Sequence, residues 1–280
     1  MKLEALDFRI TSKCDMNCPF CFGTKRNGTV NMGNIDEFFM NLRQYGVKNI
    51  VLTGGEPSLA DNFANVVSFL KKCGFNLALS TNGVFWNNDH LKKTVIENIS
   101  WIALPVDSTD PVQHNFMRGA FFDHHSCIHK ILGDIPKEAP DIKVKIGTVA
   151  SKENLSNISG ILHTLPMEPA LWKIYQLSEV FSNSRYYKEN KISDSAFEKL
   201  VDEAKKENAH RETRITCLFE RDRERRYLFL EPDGTLMTIE NNKEVAIGDC
   251  RDDFRALIKK IELSVDVDKI NSNFNNSFIS

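Results

Sequence analysis

The sequence predicts an α/β fold, a partial (β/α)6 barrel followed by a C-terminal α+β extension. Three observations lead there. Short runs rich in Val, Ile, Leu and Phe alternate with longer amphipathic ones, the pattern of a parallel sheet with right-handed crossovers. Six such units are too few for a closed eight-unit barrel, which leaves a partial barrel or an open wound sheet. After about residue 178 the alternation stops and the composition changes.

The strands are expected at residues 6–10, 49–53, 76–80, 101–106, 143–149 and 171–177. Between them, residues 34–45 begin with an Asn cap and early acids and end before Gly46, and residues 61–73 end before Gly74. Residues 90–98, 123–132 and 154–165 are the next helices. Residues 182–191 are polar and expected as a connection, and residues 193–207 as a helix with paired acids and bases. Residues 226–230 and 235–239 flank Glu231-Pro232-Asp233-Gly234, a hairpin signal. Residues 252–263 form a last amphipathic helix, and the Asn- and Ser-rich tail from Asp266 is expected to be loose. Residues 1–180 are thus the expected barrel core, and residues 181–280 an extension closing it.

With 280 residues and a formal net charge of −2, the chain offers no electrostatic case for nucleic acid or an acidic membrane as main partner. No apolar run approaches the roughly 20 residues that span a bilayer, and the N-terminus has no signal-peptide stretch. A cytoplasmic location is expected. Seven cysteines, three clustered and four scattered, argue against a disulfide framework.

The clustered three lie in Cys14-Asp15-Met16-Asn17-Cys18-Pro19-Phe20-Cys21, spaced C-x3-C-x2-C. Thiolates are soft ligands suited to iron–sulfur clusters, and three of them leave one corner of a four-iron cube for a small molecule. The loop directly follows the first strand, at the sheet end that carries chemistry in such folds. Thr53-Gly54-Gly55-Glu56-Pro57 closes the second strand; its glycines expose backbone and Glu56 adds an acceptor suited to a ligand's amine. Ser80-Thr81-Asn82-Gly83 closes the third, with small polar groups for a sugar or carboxylate. Asp107 closes the fourth, as an acceptor for ribose hydroxyls or, like Arg118, as part of a structural cap or salt bridge. Arg118 is suited to clamp a carboxylate in bidentate fashion.

Taken in order, these motifs resemble the radical S-adenosylmethionine (radical SAM) superfamily over roughly residues 5–178. The resemblance implies that Cys14, Cys18 and Cys21 hold a [4Fe–4S] cluster whose free iron binds the amino and carboxylate groups of S-adenosylmethionine. It further implies that Gly54, Gly55 and Glu56 meet the methionine amine, Phe20 lies beside the adenine, and Ser80 and Asn82 lie near the ribose or carboxylate. Reductive cleavage would give methionine and a 5′-deoxyadenosyl radical that takes a hydrogen atom from substrate. An electron donor such as a reductase, flavodoxin or ferredoxin is implied as partner.

Later segments resemble viperin-like proteins, which dehydrate nucleoside triphosphates. Lys143-Val144-Lys145-Ile146 and Trp172-Lys173-Ile174-Tyr175-Gln176 look like their fifth and sixth strands, and Lys25 matches a lysine after the cluster loop. Tyr227, in Arg226-Tyr227-Leu228-Phe229-Leu230, matches a substrate-facing tyrosine and is the candidate proton or hydrogen donor. Lys25, Lys145 and Lys173, brought from strand ends or the first loop to one mouth, would suit a triphosphate; the alternative is that Lys145 and Lys173 project from the middle of their strands, where a buried charge needs a partner. The chain departs from that pattern at Gly147, where those proteins usually carry Asn, and at Leu171, where they often carry Arg. A peptide or another small metabolite is the alternative substrate, and an iron–sulfur carrier or sensor the alternative outside enzymology.

Two further features complete the reading. His124, His125 and His129 are expected on a helix surface, lacking a third metal ligand. Arg221, Arg223, Arg225 and Arg226 interleave with acids, as a solvated segment or as a lid over an anionic substrate.

Overall fold

The parallel strands are buried on both faces, helices covering one side and the barrel interior the other. In the computed structural model, which describes residues 2–24 and 26–278, the first strands are β1 (Ala5–Arg9), β2 (Asn49–Thr53), β3 (Asn76–Ser80) and β4 (Trp101–Pro105). They continue with β5 (Lys143–Ala150), β6 (Leu171–Gln176) and β7 (Arg214–Leu218). These seven run parallel, each beside the next. β8 (Phe229–Leu230) pairs parallel with the other side of β1, and β9 (Thr235–Glu240) and β10 (Lys243–Asp249) follow antiparallel. The order β10-β9-β8-β1-β2-β3-β4-β5-β6-β7 has two free ends, so the barrel is open.

The helices α1 (Asp36–Tyr45), α2 (Phe63–Lys72), α3 (Asp89–Asn98), α4 (Pro111–Met117), α5 (His124–Glu138) and α6 (Ile161–Thr164) lie between the parallel strands. Residues such as Phe8, Ile50, Leu52, Ile102 and Ile146 point outward and join the helices in the main core. Their sequence neighbours point inward, which is how residues two apart on one strand reach the same cavity.

The C-terminal part differs most from expectation. Beyond the six expected units, β7 emerges from a charge-crowded segment; it is a half-exposed edge strand, so it lacks a buried apolar signature. α7 (Ser184–Asn190) forms in the stretch expected as a connection, because the Asn183 side chain accepts from the N–H groups of Arg185 and Tyr186. α8 (Asp194–Glu207) is capped by Ser193, and α9 (Phe254–Ser264) by Asp253. Residues 154–165 do not make one helix. The buried Asn154 amide is spent on Asp107 and Val149 carbonyls, and only short turns and α6 follow.

The tail is not loose. It forms α10 (Val267–Phe278), whose Phe274 and Phe278 pack against Ala5, Val51, Ala78, Trp101 and Leu171 inside the barrel. Asn271 ties it to the chain start, donating to Lys2 O and accepting from Glu4 N, both at 2.9 Å. An Asn-rich helix is weak in isolation and forms here because one face is buried.

A candidate active site at the strand C-terminal ends

The loop after β1 places Cys14, Cys18 and Cys21 on the wall of one cavity of about 240 Å³. That loop is held by backbone contacts that only glycine permits. Gly55 N donates to Thr11 O at 2.6 Å and Glu56 N to Lys13 O at 2.7 Å. Gly54 has φ +143°, and a Cβ there would lie 2.5 Å from Thr11 O; one on Gly55 would strike Lys13 O, and one on Gly119 would strike Asn17 O. The expected close approach is therefore made by the cysteine loop itself. The Cys18 thiol donates to Arg118 O at 3.1 Å. Burial pushes Cys14 up to about 12 and raises Cys18 as well.

Glu56 ties the loops after β2 and β3 together. Its carboxylate accepts from Ser58 N (3.1 Å), Ser58 Oγ (2.6 Å), Thr81 Oγ1 (2.7 Å) and Asn82 N (2.7 Å). Burial raises its pKa against those donors. Asn82 spends its side chain locally, donating to Asp15 Oδ1 at 2.7 Å and accepting from Val84 N at 3.1 Å. Ser80 lines the same cavity.

Asp107 is fully buried behind the wall and not on it. One oxygen accepts from Val149 N at 2.8 Å and the other from Arg118 Nε at 2.5 Å. Arg118 in turn lies on the wall, its guanidinium carbon 5.3 Å from the centre of the Phe20 ring. The expected ribose acceptor thus orients an arginine beside the cluster loop.

The histidines correct their expectation. His124 and His125 are buried, with His114. Asp107 N–H donates to His114 Nδ1 at 3.2 Å, His114 Nε2 and His124 Nδ1 are 2.8 Å apart, and His124 Nε2 meets Asn82 O at 2.9 Å. Because the first donor is a backbone amide, each ring accepts at Nδ1 and donates at Nε2. Burial holds His114 down to about 2 and His124 to about 4, so both are neutral. The row links the ends of β3 and β4. Adjacency in sequence hid this, since the partner His114 sits on another helix.

Lys145 and Lys173 do not come from strand ends. Each is the third residue of its strand and points into the barrel below the mouth. Lys145 lines the cavity near Phe278, 4.5 Å from its ring centre. Burial lowers it to about 7, with Asp7 opposing. Lys173 is turned to α10, donating to Asn273 Oδ1 at 2.8 Å and Ser277 Oγ at 2.7 Å, and burial and neighbouring cations drive it well below the usual lysine range. Lys25 lies outside the described residues. Tyr227 lines the cavity, its ring stacked 5.3 Å from Phe229 and its pKa raised by burial.

Sequence reasoning missed Asp7, which faces the cavity and which burial raises to about 6 against Arg9, Lys145 and Lys173. An acid two residues before Arg9, at an inward position of a strand otherwise made of Ala, Leu and Phe, was the available signal. Asn273 and Ser277 carried none. Arg223 is buried on the wall, contrary to a solvated segment.

A family model described as the radical SAM superfamily matches residues 8–158. The chain belongs to the radical SAM superfamily. It is 23% identical over 257 residues to an S-adenosylmethionine-dependent nucleotide dehydratase of Selenomonas ruminantium, covering 87% of this chain and 89% of the relative. A protein of the same description from Flammeovirga pacifica is 23% identical over 253 residues, covering 85% and 83%. Among solved structures, anSMEcpe with bound AdoMet superposes with TM-score 0.69 at 14% identity over 93% of this chain and 83% of that one. Streptococcus suis SuiB bound to S-adenosylmethionine gives 0.66 at 15% identity over 99% and 68%. These two likenesses are of fold.

The radical SAM enzyme uses a [4Fe–4S] cluster and S-adenosylmethionine, and its residues fit them. Three thiols from one loop share one cavity, and no other cysteine lines it. Among the described residues no three His, Cys, Asp or Glu side chains are gathered as ligands of a single ion. Cys14, Cys18 and Cys21 would hold the cluster, beside cavity space for the cofactor. When bound, the pair supplies a radical that takes a hydrogen atom from substrate. No helix among the described residues is long and apolar enough to cross a membrane.

Proposed function

We propose that this radical SAM enzyme acts on a nucleotide, a nucleoside triphosphate, and abstracts a hydrogen atom from it in a viperin-like dehydration. The observation that carries this reading is the likeness to two nucleotide dehydratases over most of both chains. The cavity supports it: the cysteine loop is at the mouth, and Lys145, Arg223 and Tyr227 line the wall. In this reading Phe20, Ser80 and Arg118 border S-adenosylmethionine, Gly54, Gly55 and Glu56 shape the seat of its methionine, and Asn82 and Asp107 hold those elements. Lys25, Lys145 and Lys173 serve the triphosphate, Lys173 through α10. Tyr227 stands as proton or hydrogen donor. Residues 1–180 act as the catalytic core and residues 181–280 complete the cavity. The reaction takes place in the cytoplasm, with a flavodoxin, ferredoxin or reductase as electron donor.

The test is a screen of ribose-deuterated nucleoside triphosphates with anaerobically reconstituted enzyme, S-adenosylmethionine and reductant. Transfer of deuterium into 5′-deoxyadenosine from at least one of them is expected. Label transfer only from a peptide or a non-nucleotide metabolite overturns the reading.

A further inference from the structure

We propose that Arg223 is an anion seat, the guanidinium that grips a phosphate group of the substrate; the naming of that substrate as a nucleotide rests on the reading above. Arg223 follows β7 in a short turn, is 5% exposed and lines the cavity. Its Nη2 donates to Gln176 O at 2.8 Å and its Nη1 to the Tyr227 hydroxyl at 3.3 Å, while Nε has no partner among the described residues. Both acceptors are neutral. The guanidinium carbon lies 5.5 Å from the Phe181 ring centre and 5.7 Å from that of Tyr175, so its faces are apolar.

No carboxylate among the described residues lies within ion-pair distance of it. Buried Arg9 and half-buried Arg118 differ. Arg9 meets Glu231 at 2.7 Å, and Arg118 meets Asp107 at 2.5 Å. A desolvated cation with no counter-charge is unfavourable, and an anionic ligand relieves that cost. Two of its five N–H donors are engaged, leaving three in a planar fork that matches phosphate oxygens.

The surroundings agree. Lys145, the other cation on that side of the cavity, is 5.6 Å from the same Tyr175 ring. Lys173 is consumed by α10. Asp7 is the acid facing Lys145, while Glu56 faces four donors by the cysteine loop. Arg223 and Lys145, each within 6 Å of the Tyr175 ring centre, thus leave this wall short of negative charge.

The experiment compares wild type, Arg223→Gln and Arg223→Lys, loaded with cluster and S-adenosylmethionine, by titration calorimetry and thermal unfolding. The probes are inorganic tripolyphosphate and nucleoside triphosphates. Wild type should bind tripolyphosphate and gain in Tm. Arg223→Gln should weaken binding by about tenfold or more and lose the Tm gain; Arg223→Lys should fall between. Unchanged affinity in Arg223→Gln overturns the proposal, as does a lower baseline Tm with the ligand-induced gain intact, which marks a structural arginine. If Arg223→Gln does not fold, Arg223→Lys decides, and wild-type affinity there overturns the seat. A wild type blind to tripolyphosphate also overturns it. Tripolyphosphate binding through Arg223 without label transfer from any nucleoside triphosphate keeps the seat and removes the nucleotide reading.

Discussion

The ammonium of Lys173 donates to the Ser277 hydroxyl at 2.7 Å, joining residues 104 positions apart. Asn273 Oδ1 accepts from the same nitrogen at 2.8 Å. The floor of the cavity is therefore finished by the last helix of the chain. Removing a partner strands a buried polar group. Asn273→Ala should lower unfolding free energy in urea by about 1–3 kcal/mol. Lys173→Met, which leaves the buried Ser277 hydroxyl and Asn273 Oδ1 without their shared donor, should lower it by a similar amount, about 1–3 kcal/mol. Equal stability of Asn273→Ala and wild type would show the contact to be idle.

Gly54 and Gly55 should be intolerant of alanine because a methyl there meets backbone of the cysteine loop. Gly54→Ala should fold yet incorporate little iron after anaerobic reconstitution. Gly133, within α5, meets nothing within 4 Å. Gly133→Ala should retain iron and gain about 0.5–1 kcal/mol in stability from helix propensity. Normal iron in Gly54→Ala would refute the account of these contacts.

Alanine at Cys14, Cys18 or Cys21 should each abolish the cluster's broad visible absorbance and all turnover. Cys73→Ala, Cys127→Ala, Cys217→Ala and Cys250→Ala should leave iron content unchanged, because none of the four lines the cavity. Iron loss in the second set would point to another cluster.

Lys145, lowered to about 7, is mostly neutral at pH 8 in the free enzyme. A bound polyanion favours its charged form, so binding of tripolyphosphate at pH 8 should take up a proton. Calorimetry in buffers of different ionisation enthalpy should detect up to about one proton in wild type and none in Lys145→Met. Affinity should fall as pH rises through about 7. Equal proton uptake in the two proteins would exclude Lys145 as its source.

His114 and His124 are held below the usual histidine value of 6.5, at about 2 and about 4. The folded state thus binds fewer protons than the unfolded state across that window. Their contribution to stability is present above pH 6.5 and is lost as pH falls toward 4, with slope about 1.4 kcal/mol per pH unit for each ring. His124→Gln should flatten urea-derived stability between pH 6.5 and 4 by about that slope. An unchanged profile would mean that His124 is protonated in the folded protein.

Strand and motif positions were legible where the signal is local. β2 and β3 fall where alternation placed them, and the cysteine loop and Gly-Gly-Glu-Pro turn stand on consecutive strand ends. β7, capped α7 and Asn-rich α10 were not legible, because charge-crowded flanks hide the short edge strand and a side-chain cap and a buried face supply what propensity lacks in the two helices.

The chain alone determined the chemistry of the mouth. Cys14, Cys18 and Cys21 lie within eight consecutive residues, and spacing in one loop survives any arrangement of the rest. Only the tertiary structure decided the floor and the side wall. Asp7, Lys145, Arg223 and Ser277 are brought together from β1, β5, the turn after β7 and α10. Whether each is paired or exposed to a ligand depends on contacts between distant segments, and those leave no periodic trace in the sequence.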